Sequence, residues 1–142
     1  MGKTVVRITV RNWADIERLA SGGKTGSLRA VESEALVDSG STGFYLKASL
    51  VQQLGLRLIG EQRALTMSNR RETRRLFSPV ELEIQDRTAV ISVAEVPENL
   101  PNIVGQVPLE IMDWVIDPIG QKLIGNPAHG GEMLSFEPLR LD

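Results

Sequence analysis

Alternating apolar and polar positions dominate much of the chain. Val6, Ile8 and Val10 alternate with polar residues near the N-terminus, and the same alternation recurs over residues 80–85. A period of two is typical of a β-strand with one buried face and one solvated face. Applied along the whole chain, this pattern predicts strands over residues 4–11, 27–32, 34–38, 57–67, 73–85, 88–96, 114–116 and 121–124.

Helical spacing is confined to short segments. One helix is predicted to end near Gly55, because glycine suits the left-handed residue that caps a helix. Its apolar stripe consists of Leu46, Leu50, Val51 and Leu54. Short helical stretches are also expected at residues 14–20 and 107–112. Many short strands, with one or two well-marked short helices, predict a mainly β fold, namely a small closed or partly closed barrel.

Length and composition indicate a folded domain. The chain has 142 residues, of which 42% are apolar and 24% are charged, close to the averages of globular proteins. One domain is expected at this length. Residues 1–125 are predicted to form the domain proper. Residues 126–142, rich in glycine and proline, are predicted to form an irregular C-terminal tail of the same domain.

The charge balance gives no general attraction to nucleic acid or to a membrane surface, because 16 basic and 18 acidic residues leave a net charge of −2. The absence of cysteine excludes disulfides and thiolate nucleophiles. The single histidine, His129, leaves too few ligands for a zinc site and is expected in a loop. The first residues alternate between apolar and polar rather than forming the continuous apolar stretch of a secretory signal, and no apolar stretch approaches the roughly 18 residues of a membrane span. A cytoplasmic protein without nucleic-acid or membrane partners is therefore expected.

One segment places an acidic residue at the end of an apolar strand, where Ala35-Leu36-Val37 is followed by Asp38-Ser39-Gly40-Ser41. Gly40 permits a sharp turn and lets its amide approach the carboxylate without a Cβ in the way. The hydroxyls of Ser39 and Ser41 can donate hydrogen bonds that fix the loop. Asp-Ser-Gly by itself is also a common turn, in which the aspartate accepts an ordinary backbone hydrogen bond. The segment thus fits either a catalytic carboxylate or a capped turn.

Residues 35–41 resemble the signature of the retropepsin-like aspartic proteases, in which a hydrophobic pair precedes Asp-Thr/Ser-Gly-Ala/Ser. Two later segments are similar to that family as well. Val51-Gln52-Gln53-Leu54-Gly55-Leu56 matches its helix ending in Leu-Gly-Leu, and Ile103-Val104-Gly105 matches its pair of apolar residues and glycine before a short helix. The ordered set covers roughly residues 4–125 and is most similar to the cellular and microbial branch of the family.

The resemblance implies an acid-protease barrel that works as a homodimeric aspartic endopeptidase on peptide or protein substrates. Each subunit would contribute Asp38 to a shared pair of carboxyl groups, which activates water without a metal or organic cofactor. The catalytic loop would be shaped by Ser39, Gly40 and Ser41, while Val104 and Gly105 would pack beneath it. A second copy is required because two carboxyl groups must share one proton and the chain has a single motif.

The resemblance also implies a flap, which is a hairpin that closes over the substrate. Its tip, which would contact the substrate, consists of Met67, Ser68, Asn69, Arg70 and Arg71. This tip contains no glycine, and Thr42 and Gln106 stand where viral members pair an acid with an arginine. These departures favour an alternative, a dimeric peptide-binding module of the same fold that does not cut. A purely structural β module is a third possibility.

Five arginines concentrate around the predicted flap: Arg63, Arg70, Arg71, Arg74 and Arg75. One interpretation is a solvated hairpin whose arginines offset Glu61 and Glu72. The other is a surface that favours acidic side chains in the substrate, or that contacts a nucleic-acid-bound partner.

Overall fold

The alternating sequence folds into a mainly β structure. The structure is a computed structural model, and it describes residues 3–23, 26–66 and 68–135. The strands in this part of the chain are β1 (Thr4–Asn12), β2 (Ala30–Val37), β3 (Phe44–Lys47), β4 (Leu58–Leu65), β5 (Arg71–Ile84), β6 (Arg87–Val96), β7 (Ile103–Val104), β8 (Trp114–Asp117) and β9 (Lys122–Gly125). The α-helices described there are α1 (Trp13–Ala20), α2 (Ala48–Gln53) and α3 (Gln106–Met112). A 3-10 turn spans Pro127–His129.

Within the described residues, seven strands form one sheet in the order β1-β2-β7-β3-β6-β5-β4, and β8 pairs with β9 separately. β1 also pairs with β5, from Thr9 opposite Glu83 to Asn12 opposite Val80, which curls the sheet into a partial ring. β4 lies outside this ring. The predicted mainly β class is confirmed, whereas the sheet is partly ring-like rather than a clear barrel.

The two-residue strand β7 occupies a central place in the sheet. It runs parallel to β2, with Val104 opposite Val37, and antiparallel to β3, with Val104 opposite Phe44. Val104 is completely buried. Since β7 lies between β2 and β3, the connection formed by residues 38–43 has to pass over the end of β7.

The core is built from the inward positions of the alternating strands. Fully buried side chains from four different strands meet there: Ile8, Val10, Leu46, Val80, Leu82, Ile84 and Val93. Because consecutive residues of a strand point to opposite faces, the odd or even set in each strand is removed from water as a unit. The apolar alternation in the sequence therefore corresponds directly to this core.

Two predicted boundaries are wrong. Residues 27–32 and 34–38 are not two strands, because β1 pairs without a break along all of β2, from Thr4 opposite Val37 to Arg11 opposite Ala30. Leu46 belongs to β3 rather than to the following helix, since it lies opposite Glu95 in a parallel pairing with β6. The helix itself is shorter than predicted, but Gly55 after it has a φ of +62°, as expected for a C-terminal cap.

A buried carboxylate that the sequence did not reveal ties α1 to the start of β2. The Asp15 side chain is fully buried. Arg29 donates to both of its oxygens at 2.9 Å, and Arg18 donates to one at 2.8 Å. These guanidinium groups, that of Arg29 above all, hold the pKa of Asp15 well below its usual value despite its burial. Arg29 also lies against Gly55, where a Cβ would collide with the guanidinium.

The described part of the C-terminal tail, through residue 135, is irregular apart from the 3-10 turn, but it is anchored. Its anchor is Asp113, which ends α3 with a left-handed φ of 57° and is 6% exposed. The Asp113 carboxylate lies 2.5 Å from Nδ1 of His129 and accepts the backbone N–H of Leu134 at 3.1 Å. Arg87 donates to the carbonyls of Asp113 and Gly131 from the other side. Residues 136–142 lie outside the described residues.

The helices in the described segments are short. None of them has the length and apolar character needed to cross a bilayer.

Candidate functional site

The loop after β2 fixes the Asp38 carboxylate with two hydrogen bonds. The backbone N–H of Gly40 donates to Oδ1 at 2.9 Å, and the Ser41 hydroxyl donates to Oδ2 at 3.1 Å. The Asp38 N–H donates to the carbonyl of Val104 at 3.0 Å, which ties the residue to β7. Asp38 is half-buried, whereas Ser39 and Gly40 are exposed. The acid thus stands at the edge of the core with its oxygens held in one orientation.

The close approach of the Asp38 carboxylate to the Gly40 backbone explains why position 40 is a glycine. An ideal Cβ there would lie 3.2 Å from Oδ1 of Asp38, tighter than ordinary van der Waals contact. The bond from the Gly40 amide to Oδ1 also occurs in simple aspartate turns. The additional bond from Ser41, on the second carboxylate oxygen, is what distinguishes this loop from the plain turn that Asp-Ser-Gly alone would predict.

Gly105 joins this loop to the beginning of α3. Three consecutive N–H groups, those of Gly105, Gln106 and Val107, donate to the carbonyls of Gly43, Ser41 and Thr42 at 2.7–2.9 Å. A Cβ on Gly105 would lie 2.6 Å from two of those carbonyl oxygens. Gly105 is buried and lies in close contact with the loop. The helix start and the loop therefore form one hydrogen-bonded unit, because the helical amides that lack internal partners are satisfied by the loop.

Asn102, just before β7, is a supporting residue that sequence reasoning missed. Its side chain is 2% exposed. It donates to the carbonyl of Glu34 at 2.9 Å and accepts the N–H of Lys47 at 2.9 Å, so it bridges β2 and β3. A buried polar residue must find such partners. The only signal for this role in the sequence was an asparagine between Pro101 and two apolar residues. The same pattern is equally typical of a turn.

The predicted flap is a hairpin formed by β4 and the first half of β5. Thr66 and Arg70 close its tip through the bond from Thr66 N–H to the Arg70 carbonyl at 2.9 Å. Asn69 supplies the left-handed residue, with a φ of 62°, that glycine supplies in many turns. Ser68 and Arg70 are exposed at the tip, and Arg71 already belongs to β5. Met67, also predicted to contact substrate, lies outside the described residues.

The structure brings together Asp38, Ser39, Gly40 and Ser41 with Val104 and Gly105. It does not join them to the hairpin tip within one chain: no hydrogen bond or ion pair connects residues 38–41 with residues 68–71 in the described segments. A surface cavity of about 400 Å³ is lined by parts of β1, β5 and β9 and does not include Asp38.

Two of the five arginines around the hairpin, Arg74 and Arg75, are paired with acids. Arg74 bonds to Glu72 at 2.8 Å, and Arg75 makes two bonds of 3.0 Å to Glu95. Arg75 also lies 5.3 Å from the centre of the Phe77 ring. The offsetting of charges proposed from the sequence is therefore present for these two residues, with Glu95 rather than Glu61 as the second acid.

His129 was expected in a loop, and it does lie in the 3-10 turn, but its side chain is only 15% exposed and contacts Asp113. The contact lowers the pKa of Asp113. No cluster of three or more histidine or acidic side chains among residues 3–23, 26–66 and 68–135 is arranged to hold a metal ion.

The sequence finds no match among protein-family models or among curated proteins.

Proposed function

We propose that this chain is one subunit of a retropepsin-like aspartic endopeptidase, with an acid-protease type of fold and a cytoplasmic location. The observation that carries the proposal is the Asp38 loop. Its carboxylate is fixed on one oxygen by the Gly40 amide and on the other by the Ser41 hydroxyl, and it remains accessible from solvent. A carboxylate that must bind and activate water needs both a fixed orientation and access.

The other aspartates near the core already have basic side chains as partners. Asp15 is paired with Arg29 and Arg18, and Asp113 with His129. Asp38, in contrast, has no cationic partner among the described residues. Its hydrogen bonds come from the neutral donors Gly40 and Ser41, so its carboxyl group is not committed to an ion pair.

The proposed site requires a second copy of the chain. Aspartic catalysis uses two carboxyl groups that share a proton, and only Asp38 stands in the Asp-Ser-Gly context. An isologous dimer would bring both Asp38 residues to the two-fold axis. The exposed Ser39 and Gly40 would then face their counterparts, and the two flaps would close over the substrate.

In this site the ionised Asp38 takes a proton from water as the water oxygen attacks the scissile carbonyl carbon. The protonated Asp38 of the second copy donates its proton to the carbonyl oxygen. The tetrahedral intermediate then collapses: the first Asp38 passes its proton to the amide nitrogen, the C–N bond breaks, and the second Asp38 takes a proton back from a hydroxyl of the intermediate, which becomes the carboxylic acid product. Gly40 and Ser41 keep the carboxyl group in one orientation through their hydrogen bonds to its two oxygens.

A non-catalytic, dimeric peptide-binding module is the second candidate. The observation that favours it is the hairpin tip, which is closed by hydrogen bonds of Thr66 to Ser68 and to Arg70 and has no glycine. Such a tip has less freedom to open and close than a glycine-rich one. Peptide binding does not need that motion to the extent that turnover does.

The decisive experiment measures cleavage of a peptide library by the purified chain over roughly pH 3 to 7, the range in which carboxyl pairs work. Asp38→Asn should reduce cleavage by about 10²–10⁴-fold, as expected for loss of an acid–base group. Asp86→Asn is the matched control, because Asp86 is exposed in the β5–β6 turn. Equal activity of Asp38→Asn and the parent would end the protease assignment, and peptide binding without cleavage by the parent would select the binding module.

Subunit mixing tests whether the site is shared. Parent and Asp38→Asn chains mixed in equal amounts and allowed to exchange should retain about one quarter of the parent activity, since only that fraction of dimers has both carboxyl groups. Retention of one half would mean that each chain works alone.

A further inference from the structure

β4 is a free edge of the main sheet. In the described part of the chain it pairs with β5 alone, and six of its eight residues are exposed. An edge strand presents unpaired N–H and C=O groups to which another strand can bond. Exposed apolar side chains lie at both ends of β4: Leu58 and Ile59 are 51% and 46% exposed, and Leu65 is 68% exposed.

The order of residues along β4 is self-complementary. If two copies pair antiparallel about a two-fold axis at Gln62, Glu61 of each copy lies opposite Arg63 of the other, and Gly60 lies opposite Ala64. Opposite charges across an antiparallel pair are stabilising, and like charges are destabilising. Moving the axis by one residue would place two Glu61 or two Arg63 side chains against each other. The charges therefore select the axis at Gln62.

We propose that β4 is a contact surface for a second copy of this chain, joined antiparallel with Gln62 on the two-fold axis. The charges on this strand favour the pairing rather than block it, unlike the charges with which many proteins protect a sheet edge. In this register Leu65 of one copy lies beside Ile59 of the other, so the exposed apolar residues at the two ends come together.

The contact is expected to be weak. The bulge between Leu58 and Gly60 interrupts the regular ladder, which leaves residues 60–64 as its central part. A ladder of five residues buries much less surface than the roughly 1,200–2,000 Å² buried in a stable interface. It would add to an interface at the Asp38 loop rather than replace it. The pairing needs no catalysis, so Asp38→Asn should leave it unchanged.

Cysteine trapping tests the register directly, because the chain has no cysteine. Residues opposed across an antiparallel ladder have Cα atoms about 4.5–5.5 Å apart, within the roughly 4.4–6.8 Å that a disulfide spans. Gln62→Cys should form disulfide-linked dimers under mild oxidation about tenfold faster than Thr73→Cys. Thr73 is an exposed β5 residue, and in the proposed dimer three strand spacings, about 14 Å across the sheet, separate it from its counterpart. Equal rates, or no linkage through position 62, would overturn the proposal.

Charge exchange provides the second test, made in the Gln62→Cys background. Glu61→Arg alone and Arg63→Glu alone should each slow linkage about tenfold, because both cross-strand pairs become repulsive. Mixing the two variants should restore rapid linkage between unlike chains. Glu17→Arg, the same charge change on an exposed residue of α1, should have no effect. Failure of the mixture to recover would contradict the two-fold pairing, whatever the result of the cleavage assay.

Discussion

Replacing Gly105 by alanine is expected to disturb the Asp38 loop through steric contact alone. The backbone of Gly105, with a φ of −91° and a ψ of −168°, is open to any residue. The added Cβ, however, would lie 2.6 Å from the carbonyl oxygens of both Gly43 and Ser41. These are backbone atoms and cannot turn away as a flexible side chain can. Either the loop or the start of α3 has to move.

The size of the effect follows from those contacts. Overpacking at a tight site costs about 1–3 kcal/mol, and weakening one or two of the three hydrogen bonds between loop and helix adds about 0.5–1.5 kcal/mol each. We expect Gly105→Ala to lower the free energy of unfolding by about 2–4 kcal/mol. Because a shift of about 1 Å at a catalytic group can cost roughly 10²-fold in rate, kcat/KM for any cleavage should fall more than stability alone explains.

Urea unfolding at a fixed protein concentration, followed by tryptophan fluorescence, measures the stability. Gly60→Ala is the matched control, since a Cβ at Gly60 would meet nothing within 4 Å; it should change the free energy of unfolding by no more than about 0.5 kcal/mol. If Gly105→Ala and Gly60→Ala unfold at the same urea concentration, the close contact beneath the loop does not have the role assigned to it.

Two further predictions concern the buried carboxylates. Asp15→Ala should lower the free energy of unfolding by about 2–3 kcal/mol. This is less than the roughly 3–5 kcal/mol of a fully buried pair, because the Arg29 side chain is 46% exposed. Arg7→Ala, which removes a surface pair of 3.9 Å, should leave the free energy of unfolding nearly unchanged in the same denaturation assay. For Asp113, the contact with His129 lowers the pKa in the folded state, so its contribution to stability is present above the unfolded-state pKa and is lost as the pH falls through the folded-state pKa. Asp113→Asn keeps a residue that tolerates the left-handed φ and should therefore flatten the acid limb of a plot of Tm against pH; an acid limb identical to that of the parent would contradict this assignment.

The sequence determined those features that depend on near neighbours along the chain. Alternation at Val6, Ile8 and Val10 was enough to predict β1, because a strand with one wet face imposes a period of two on its side chains. The left-handed cap at Gly55 followed from the lack of a Cβ. The turn that holds the Asp38 carboxylate could also be predicted from the sequence. Its two hydrogen bonds come from residues only two and three positions away.

Only the tertiary structure decided which segments meet. Nothing local distinguishes Asp15 from a surface aspartate, and its burial depends on Arg29, fourteen residues away. Asn102 bridges two strands that lie 55 and 68 residues from it in sequence. The tail was predicted to be irregular, yet it is held by Asp113 and Arg87. Long-range pairs of this kind are selected by the packing of the whole sheet. The sequence pattern therefore shows which residues are present but does not predict which residues they contact.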